Sequence, residues 1–282
     1  KRDFSRVIKP LKLFGANIKS IKNSLPVNIQ GTEFIRPIDY VENIGSAQIK
    51  TACCFAALNA PGKTYIRAKK SRNHTELLFK YLKIPIKVKS IRNFDLIEVR
   101  GLQEFNAFNY SIPGDISSSA FFIVLTLLSK NSAITIRNVN INQSRLGIIN
   151  ILRMMNCKIT FKNKRIYKGE KSADIYVKSS KILKPINCPS SLNSSAIDEF
   201  LLIFLLAGTK TNGISTFKEL GELNKKESPR LNIAIKFLRM IGIRVKRNKN
   251  DIKIYGKPNL YLKKKYHIKN FLKDHRVFMM SC

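Results

Sequence analysis

The apolar positions of the chain fall into three blocks that repeat one order of events. The first follows Ser46-Ala47-Gln48 with an apolar helix over 49–58. The turn Ala60-Pro61-Gly62-Lys63 and a strand over 64–68 come next. A polar loop, Ser71-Arg72-Asn73-His74-Thr75, then leads to a helix over 76–82 and a strand over 84–88. The second block opens on Ser118-Ser119-Ala120 and an apolar run ending at Leu128. It continues through Lys130-Asn131-Ser132, a strand over 133–139, the loop Asn142-Gln143-Ser144-Arg145, a helix over 146–155 and a strand over 158–161. The third opens on Ser194-Ser195-Ala196, with a helix over 197–207, the turn Thr211-Asn212-Gly213 and a strand over 214–217. The loop Lys225-Lys226-Glu227-Ser228-Pro229-Arg230, a helix over 231–241 and a strand over 243–246 complete it. In each block the first helix is apolar almost all round, which predicts burial, and the second is amphipathic.

The helix-to-strand corners also agree. Leu13-Phe14-Gly15-Ala16, Met154-Met155-Asn156-Cys157 and Met240-Ile241-Gly242-Ile243 occupy equivalent places. The opening residues 1–18 therefore read as the tail of an earlier unit. Residues 274–282 read as the head of a later one, because Val277-Phe278-Met279-Met280 starts an apolar helix. A unit of about 70–80 residues exceeds solenoid periods and predicts α/β domains with helices inside and sheets outside. Pro113-Gly114 supplies turn chemistry ahead of Asp115-Ile116-Ser117-Ser118. A domain boundary is expected there, at Ile112, separating 1–112 from 113–282.

Composition narrows the functional classes. The 52 Lys and Arg against 18 Asp and Glu leave a formal charge of +34. The basic residues are scattered along the length, and Ile, Asn and Phe, which share A/T-rich codons with Lys, are abundant too. The tight run Lys263-Lys264-Lys265 reads as a solvated loop, and no nucleic-acid-binding motif accompanies it, so no specific nucleic-acid partner is expected. Cys53, Cys54, Cys157, Cys188 and Cys282 lack metal-like spacing and lie far from His74, His267 and His275. Neither a disulfide framework nor a metal site is expected, and a reducing cytoplasm is the simple reading. The longest apolar run, 200–207, is too short to span a membrane. The start at Lys1-Arg2-Asp3, with no methionine and no signal pattern, is expected to be a cut end.

Chemistry concentrates where the repeats place it. Arg72, Arg145 and Arg230 recur in the polar loop before each second helix, beside free backbone donors that suit phosphate or carboxylate; the alternative is a plain solvated loop. Asp198-Glu199 opens an otherwise apolar helix. That is either favourable charge at a helix start or a carboxylate poised for acid–base work. Glu227 lies between Lys226 and Arg230. Asp274-His275-Arg276 adds an imidazole and another guanidinium.

Taken in order, these stretches resemble a known family. Ser46-Ala47-Gln48-Ile49-Lys50, Leu58-Asn59-Ala60-Pro61-Gly62, Ser71-Arg72-Asn73-His74-Thr75, Pro113-Gly114-Asp115-Ile116-Ser117-Ser118, Ile197-Asp198-Glu199-Phe200, Lys226-Glu227-Ser228 with Arg230, and Asp274-His275-Arg276 are similar to the 3-phosphoshikimate 1-carboxyvinyltransferases, or EPSP synthases. The Ser-Ala-Gln and Arg-Asn-His-Thr forms resemble the glyphosate-tolerant subgroup. The resemblance implies two inside-out α/β domains built from βαβαββ units, both incomplete here. Residues 1–112 would form part of the shikimate 3-phosphate lobe, and 113–282 part of the lobe carrying the phosphoenolpyruvate and catalytic loops. It implies transfer of the enolpyruvyl group of phosphoenolpyruvate to the 5-hydroxyl of shikimate 3-phosphate, with no metal or organic cofactor, no membrane partner, and a cytoplasmic monomer when full length.

The resemblance also implies roles. Ser46, Ala47 and Gln48 would hold shikimate 3-phosphate, with Arg72 near its phosphate, and Gln48 would also touch phosphoenolpyruvate. Asp198 would bind the ring hydroxyls and accept the 5-hydroxyl proton, and Lys226 would meet the shikimate side. Glu227 would move the proton to and from the methylene carbon. Arg2, Arg230 and Arg276 would grip phosphoenolpyruvate, supported by His275. Asp3 and Pro229 depart from the proline and aspartate usual in the family, and Lys273 stands where a small or acidic residue is commoner. The N-terminal Lys-Ser-Ser-Arg part and the C-terminal lysine region are absent, so the chain is expected to be a fragment with little or no turnover. The sister enolpyruvyl transferase acting on UDP-N-acetylglucosamine is the nearest alternative, and a basic nucleic-acid-binding protein is the alternative from another class.

Overall fold

The computed structural model describes residues 3–260 and 274–282. Arg2, Lys273 and the run Lys263-Lys264-Lys265 lie outside the described residues. The described chain divides into two units, one formed by Lys1–Ser111 with Tyr167–Glu170, the other by Ile112–Ile166 with Lys171–Cys282.

The first unit begins with α1 (Ser5–Leu13) and a two-stranded sheet, β1 (Asn17–Ile21) and β2 (Ser24–Gln30). A complete repeat follows: β3 (Asp39–Glu42), α2 (Ala47–Ala57), β4 (Lys63–Lys69), α3 (His74–Tyr81), β5 (Ile86–Ile91) and β6 (Phe94–Arg100). Its sheet runs β3-β4-β6-β5, with β3 parallel to β4 and the other pairs antiparallel. Its core is the inner face of that sheet packed on α2 and α3, including Ile49, Cys53, Cys54, Ile66, Phe79, Ile97 and Val99.

The second unit contains α4 (Ile116–Leu128), β7 (Ala133–Asn140), α5 (Gly147–Met154), β8 (Lys158–Tyr167) and β9 (Glu170–Lys178). It continues with β10 (Asn187–Cys188), α6 (Asn193–Ala196), α7 (Phe200–Thr209), β11 (Ile214–Phe217), α8 (Arg230–Met240), β12 (Arg244–Asn248), β13 (Asp251–Tyr255) and α9 (His275–Ser281). The sheet β10-β11-β13-β12 has the same order and the same single parallel pair as the four-stranded sheet of the first unit. In β7-β9-β8 the first strand is reduced to a parallel bridge between Gly114 and Val139. Each repeat is therefore βαβαββ, with the helix-borne apolar surface inward and the sheets outward.

Local chemistry explains the pattern. The first helix of three repeats is capped by a short polar side chain: Ile49 N donates to Ser46, Ser118 N to Asp115 and Arg276 N to Asp274, at 3.4, 3.0 and 3.1 Å. After each second helix the chain turns through a left-handed residue, with φ of 112° at Gly15, 58° at Lys83, 66° at Asn156 and 87° at Gly242. β4 buries Thr64, Ile66 and Ala68 and exposes Lys63, Arg67 and Lys69, so solvated outer sheet faces take up part of the positive charge.

Two expectations are corrected. The helix expected over 197–207 starts three residues later, as α7: residues 197–199 form a turn, across which α7 is bent by 119° from the segment Ser190–Ala196. The apolar helix α4 is not buried all round, since Phe122 and Leu125 are 54% and 60% exposed. α7 does meet the expectation, with eight of its ten residues buried. The closing strands β6, β9 and β13 were not read from the sequence, because their inward residues alternate with charged ones in short runs. Among the described residues no single helix is long and apolar enough to cross a membrane. All five cysteines are free thiols, and burial pushes those of Cys53 and Cys157 up to about 12.

Candidate active site

In the second unit the turn before α7 carries two carboxylates. Asp198 is partly accessible, whereas Glu199 is 2% exposed. α8 begins at Arg230, whose side chain is 1% exposed and lies against Asp198 on one side and the start of α9 on the other. Its Nε donates to Asp274 Oδ2 at 2.8 Å, Nη1 to Asp198 Oδ1 at 3.1 Å and Nη2 to Glu227 Oε2 at 2.7 Å. Ser228 Oγ donates to the same Asp274 oxygen at 2.8 Å. Asp274 is fully buried. Burial pushes its carboxyl up, but the hydrogen bonds from Arg230 and Ser228 and the Arg230 charge prevail and hold it below the ordinary range.

A second network joins the helix starts. Glu199 accepts from Ser117 Oγ, and Arg145 donates to Ser117 Oγ at 2.5 Å and to Asp115 Oδ1 at 2.9 Å. Arg276 Nη1 donates to the Asp198 carbonyl at 3.2 Å and stands 3.8 Å from Glu199 Oε1. Burial raises the Glu199 pKa. Ser117, Arg145 and Arg276 favour the ionised form, and Asp198 opposes it. Lys226, Glu227 and His275 lie at the exposed side of this cluster.

The structure thus brings Asp198, Glu227, Arg230 and Arg276 together within the second unit. Arg145 and Arg230, expected as anion ligands by their repeat position, both hold carboxylates of the chain itself. Pro229 precedes α8 as its N-cap residue. Ser228, Asp274, Ser117 and Glu199 are the organising groups that sequence reasoning did not assign. Asp274-His275-Arg276 was visible as a motif, but nothing local marks Asp274 as the partner of a residue 44 positions away.

The first unit holds the remaining described candidates. Ser46 caps α2, and Ala47 and Gln48 form its first turn, with the Gln48 side chain exposed. Arg72 is half-buried just before α3. Behind these two helix starts, Thr51 and Thr75 share a hydrogen bond at 2.7 Å, and Lys50 Nζ meets Glu76 Oε1 at 2.5 Å. His74 Nδ1 lies 2.5 Å from Glu170 Oε1. Ser46, Ala47, Gln48 and Arg72 therefore belong to one unit, and Asp198, Lys226, Glu227, Arg230, His275 and Arg276 to the other. Among the described residues no group of three or more His, Cys, Asp or Glu side chains could hold a metal ion.

Repeated βαβαββ units with helices within and sheets without define an enolpyruvyl-transferase fold, which an enolpyruvyl transferase from Streptomyces tendae, NikO, shares at a TM-score of 0.63 and 12% identity over 91% of this chain and 59% of its own. The family model for EPSP synthase (3-phosphoshikimate 1-carboxyvinyltransferase) matches residues 1–281, and the chain belongs to that family. The 3-phosphoshikimate 1-carboxyvinyltransferase of Staphylococcus saprophyticus is 36% identical over 283 residues, covering 99% of this chain and 63% of the relative. That of Petrotoga mobilis is 36% identical over 264 residues, covering 92% and 60%. The EPSP synthase structure from Acinetobacter baumannii superposes with a TM-score of 0.81 at 33% identity, covering 99% of this chain and 63% of that one. The chain therefore spans less than two thirds of the length of these relatives.

Proposed function

We propose that the chain carries part of the machinery of a 3-phosphoshikimate 1-carboxyvinyltransferase: transfer of the enolpyruvyl group of phosphoenolpyruvate to the 5-hydroxyl of shikimate 3-phosphate, with release of phosphate. The observation that carries this reading is the buried Arg230, which ties Asp198 and Glu227 to one guanidinium at 3.1 and 2.7 Å. The reaction needs two proton-handling groups fixed near each other and cations around them.

In this reading Asp198 takes the 5-hydroxyl proton as the alcohol oxygen attacks C2 of phosphoenolpyruvate, and Glu227 delivers a proton to C3. The resulting tetrahedral adduct returns its C3 proton to Glu227 as the C–O bond to phosphate breaks, and the departing phosphate takes up the proton held by Asp198, which restores both carboxyl groups to their starting states. Arg276 grips the phosphate and carboxylate of phosphoenolpyruvate, with Arg2 assigned to the same anion by the family resemblance and His275 supporting that end, while Arg230, held by Asp274, Asp198 and Glu227, positions the proton-handling groups. The first-unit groups Ser46, Ala47, Gln48 and Arg72 take shikimate 3-phosphate. The first unit is then the shikimate 3-phosphate side and the second the catalytic side of a cytoplasmic, monomeric enzyme that needs no metal or organic cofactor.

The test is calorimetric titration of the 282-residue chain with shikimate 3-phosphate, phosphoenolpyruvate and UDP-N-acetylglucosamine. Saturable binding of shikimate 3-phosphate that the nucleotide sugar does not displace is the expected result. Binding of the nucleotide sugar alone, or of none of the three, overturns the reading.

A further inference from the structure

Lys50 lies in the first turn of α2 and Glu76 in the first turn of α3, and both are almost wholly removed from solvent. Their charged atoms meet at 2.5 Å. Among the described residues, neither Lys50 Nζ nor either Glu76 oxygen has a hydrogen-bond partner that would offset the loss of water. Cys54, a member of the first unit's apolar core, lies close to both charges. Burying such a pair costs more desolvation than a well-packed apolar pair of the same volume, so the pair is a poor device for stability.

Its position indicates another role. One turn before Lys50 stand Ser46, Ala47 and Gln48, and Arg72 stands just before the helix that carries Glu76. The Thr51–Thr75 hydrogen bond runs beside the ion pair, between the next residue of α2 and the preceding residue of α3. The buried ion pair and the Thr51–Thr75 hydrogen bond are two adjacent cross-links that hold the two helix starts at one separation, which an apolar pair at 50 and 76 would leave freer. We propose that Lys50 and Glu76 are a positioning pair for a phosphate-ester half-site, holding Ser46–Gln48 at a set distance from Arg72. The inference rests on the reading of those residues as the shikimate 3-phosphate side. Neither Lys50 nor Glu76 touches the ligand; they act through the loops in front of them.

The test compares the native 282-residue chain with the double substitution Lys50→Met, Glu76→Leu and with the charge swap Lys50→Glu, Glu76→Lys. The apolar pair should leave the melting temperature unchanged or raise it, while shikimate 3-phosphate binds at least about ten-fold more weakly, because small misplacements of ligand groups are costly. The charge swap should bind more tightly than either Lys50→Met or Glu76→Leu alone. A purely structural pair would move stability and affinity together. Native affinity in the apolar variant overturns the proposal, as does an apolar variant whose stability and affinity fall in parallel while the charge swap rescues neither. Amide hydrogen exchange separates this from the broader reading. If the native chain binds no shikimate 3-phosphate, the assignment of the half-site fails. The positioning role is then judged by exchange at 46–50 and 72–76: faster exchange in the apolar variant supports it, and unchanged exchange overturns it.

Discussion

Arg230 Nε donates to Asp274 Oδ2 at 2.8 Å, with the two side chains 1% and 0% exposed, and this bond ties the start of α8 to the start of α9. The same carboxylate accepts from Ser228 and caps α9 through Arg276 N. One buried group thus fixes the loop bearing Lys226 and Glu227 against the helix bearing His275 and Arg276.

Asp274→Asn should therefore destabilise the chain by about 3 kcal/mol, the lower part of the range for removing one partner of a buried pair, since Asp198 and Glu227 still face Arg230. Denaturant midpoints at neutral pH measure it. The folded-state pKa of Asp274 lies below the ordinary 3.8, so its contribution is present above that value and is lost as pH falls through the folded pKa. The gap between native and Asp274→Asn should close in that acid window. A constant gap down to the lowest pH at which the chain folds would contradict the assignment.

Glu199 has the opposite sign. Burial raises its pKa above the ordinary 4.5, so the folded chain holds a proton there that the unfolded chain has released. Its favourable contribution is present below 4.5 and is lost as pH rises through the folded value. Glu199→Gln keeps the volume and a hydrogen-bonding group for Ser117 but removes the titration. As pH rises above about 4.5, the melting temperature of the variant should gain on that of the native chain. A steady loss relative to native would mean that Arg145 and Arg276 outweigh burial.

These two carboxylates mark where sequence reading reached its limit. The repeat was legible because long apolar runs, short caps and polar loops recur in one order, each set by neighbours in the chain. Asp198 and Glu199 stood out as charges opening an apolar helix, but the turn at 197–199 did not. It accompanies contacts with Ser117, Arg230 and Arg276, which lie 82, 32 and 78 positions away. The same distance hid the use of Arg145 and Arg230 as counter-ions, because a guanidinium before a helix reads alike whether it faces a ligand or a buried carboxylate. Lys50 carried a local signal, a lone lysine in an apolar helix, but its partner Glu76 is on another element.

Close packing supports the turn at 197–199 from behind. A Cβ added to Gly147, at the start of α5, would stand 2.5 Å from the backbone carbon and Oγ of Ser195 and 2.6 Å from Ala196 N. The obstacle includes backbone, so α6 must move, and α6 leads directly into Asp198. Gly147→Ala should cost about 1–3 kcal/mol despite the better helix propensity of alanine. Gly31→Ala, where the new Cβ meets nothing within 4 Å, is the matched control and should be near neutral. Thermal unfolding of the two variants checks this, and equal melting temperatures would refute the packing argument.

Arginine-to-lysine exchanges separate the guanidinium that organises the site from one that faces a ligand. Arg230 uses Nε, Nη1 and Nη2 on three different carboxylates. A lysine brings one nitrogen and cannot span them, so Arg230→Lys should lose about 3 kcal/mol of stability and loosen Asp198 and Glu227 together. The Arg276 side chain is 15% exposed, donates to one carbonyl and stands 3.8 Å from Glu199, a pattern that an ammonium can approximate. Arg276→Lys should stay within about 1 kcal/mol of native stability yet bind phosphoenolpyruvate about ten-fold more weakly, because the forked contact to a carboxylate or phosphate is lost. Calorimetric titration beside thermal unfolding reads both quantities on each variant. If Arg230→Lys instead folds with native stability but loses phosphoenolpyruvate, then Arg230 turns from its carboxylates to the ligand. Asp198 and Glu227 would in that case be freed at the moment the anion arrives, and the cluster would act as a counter-ion exchange rather than a fixed frame.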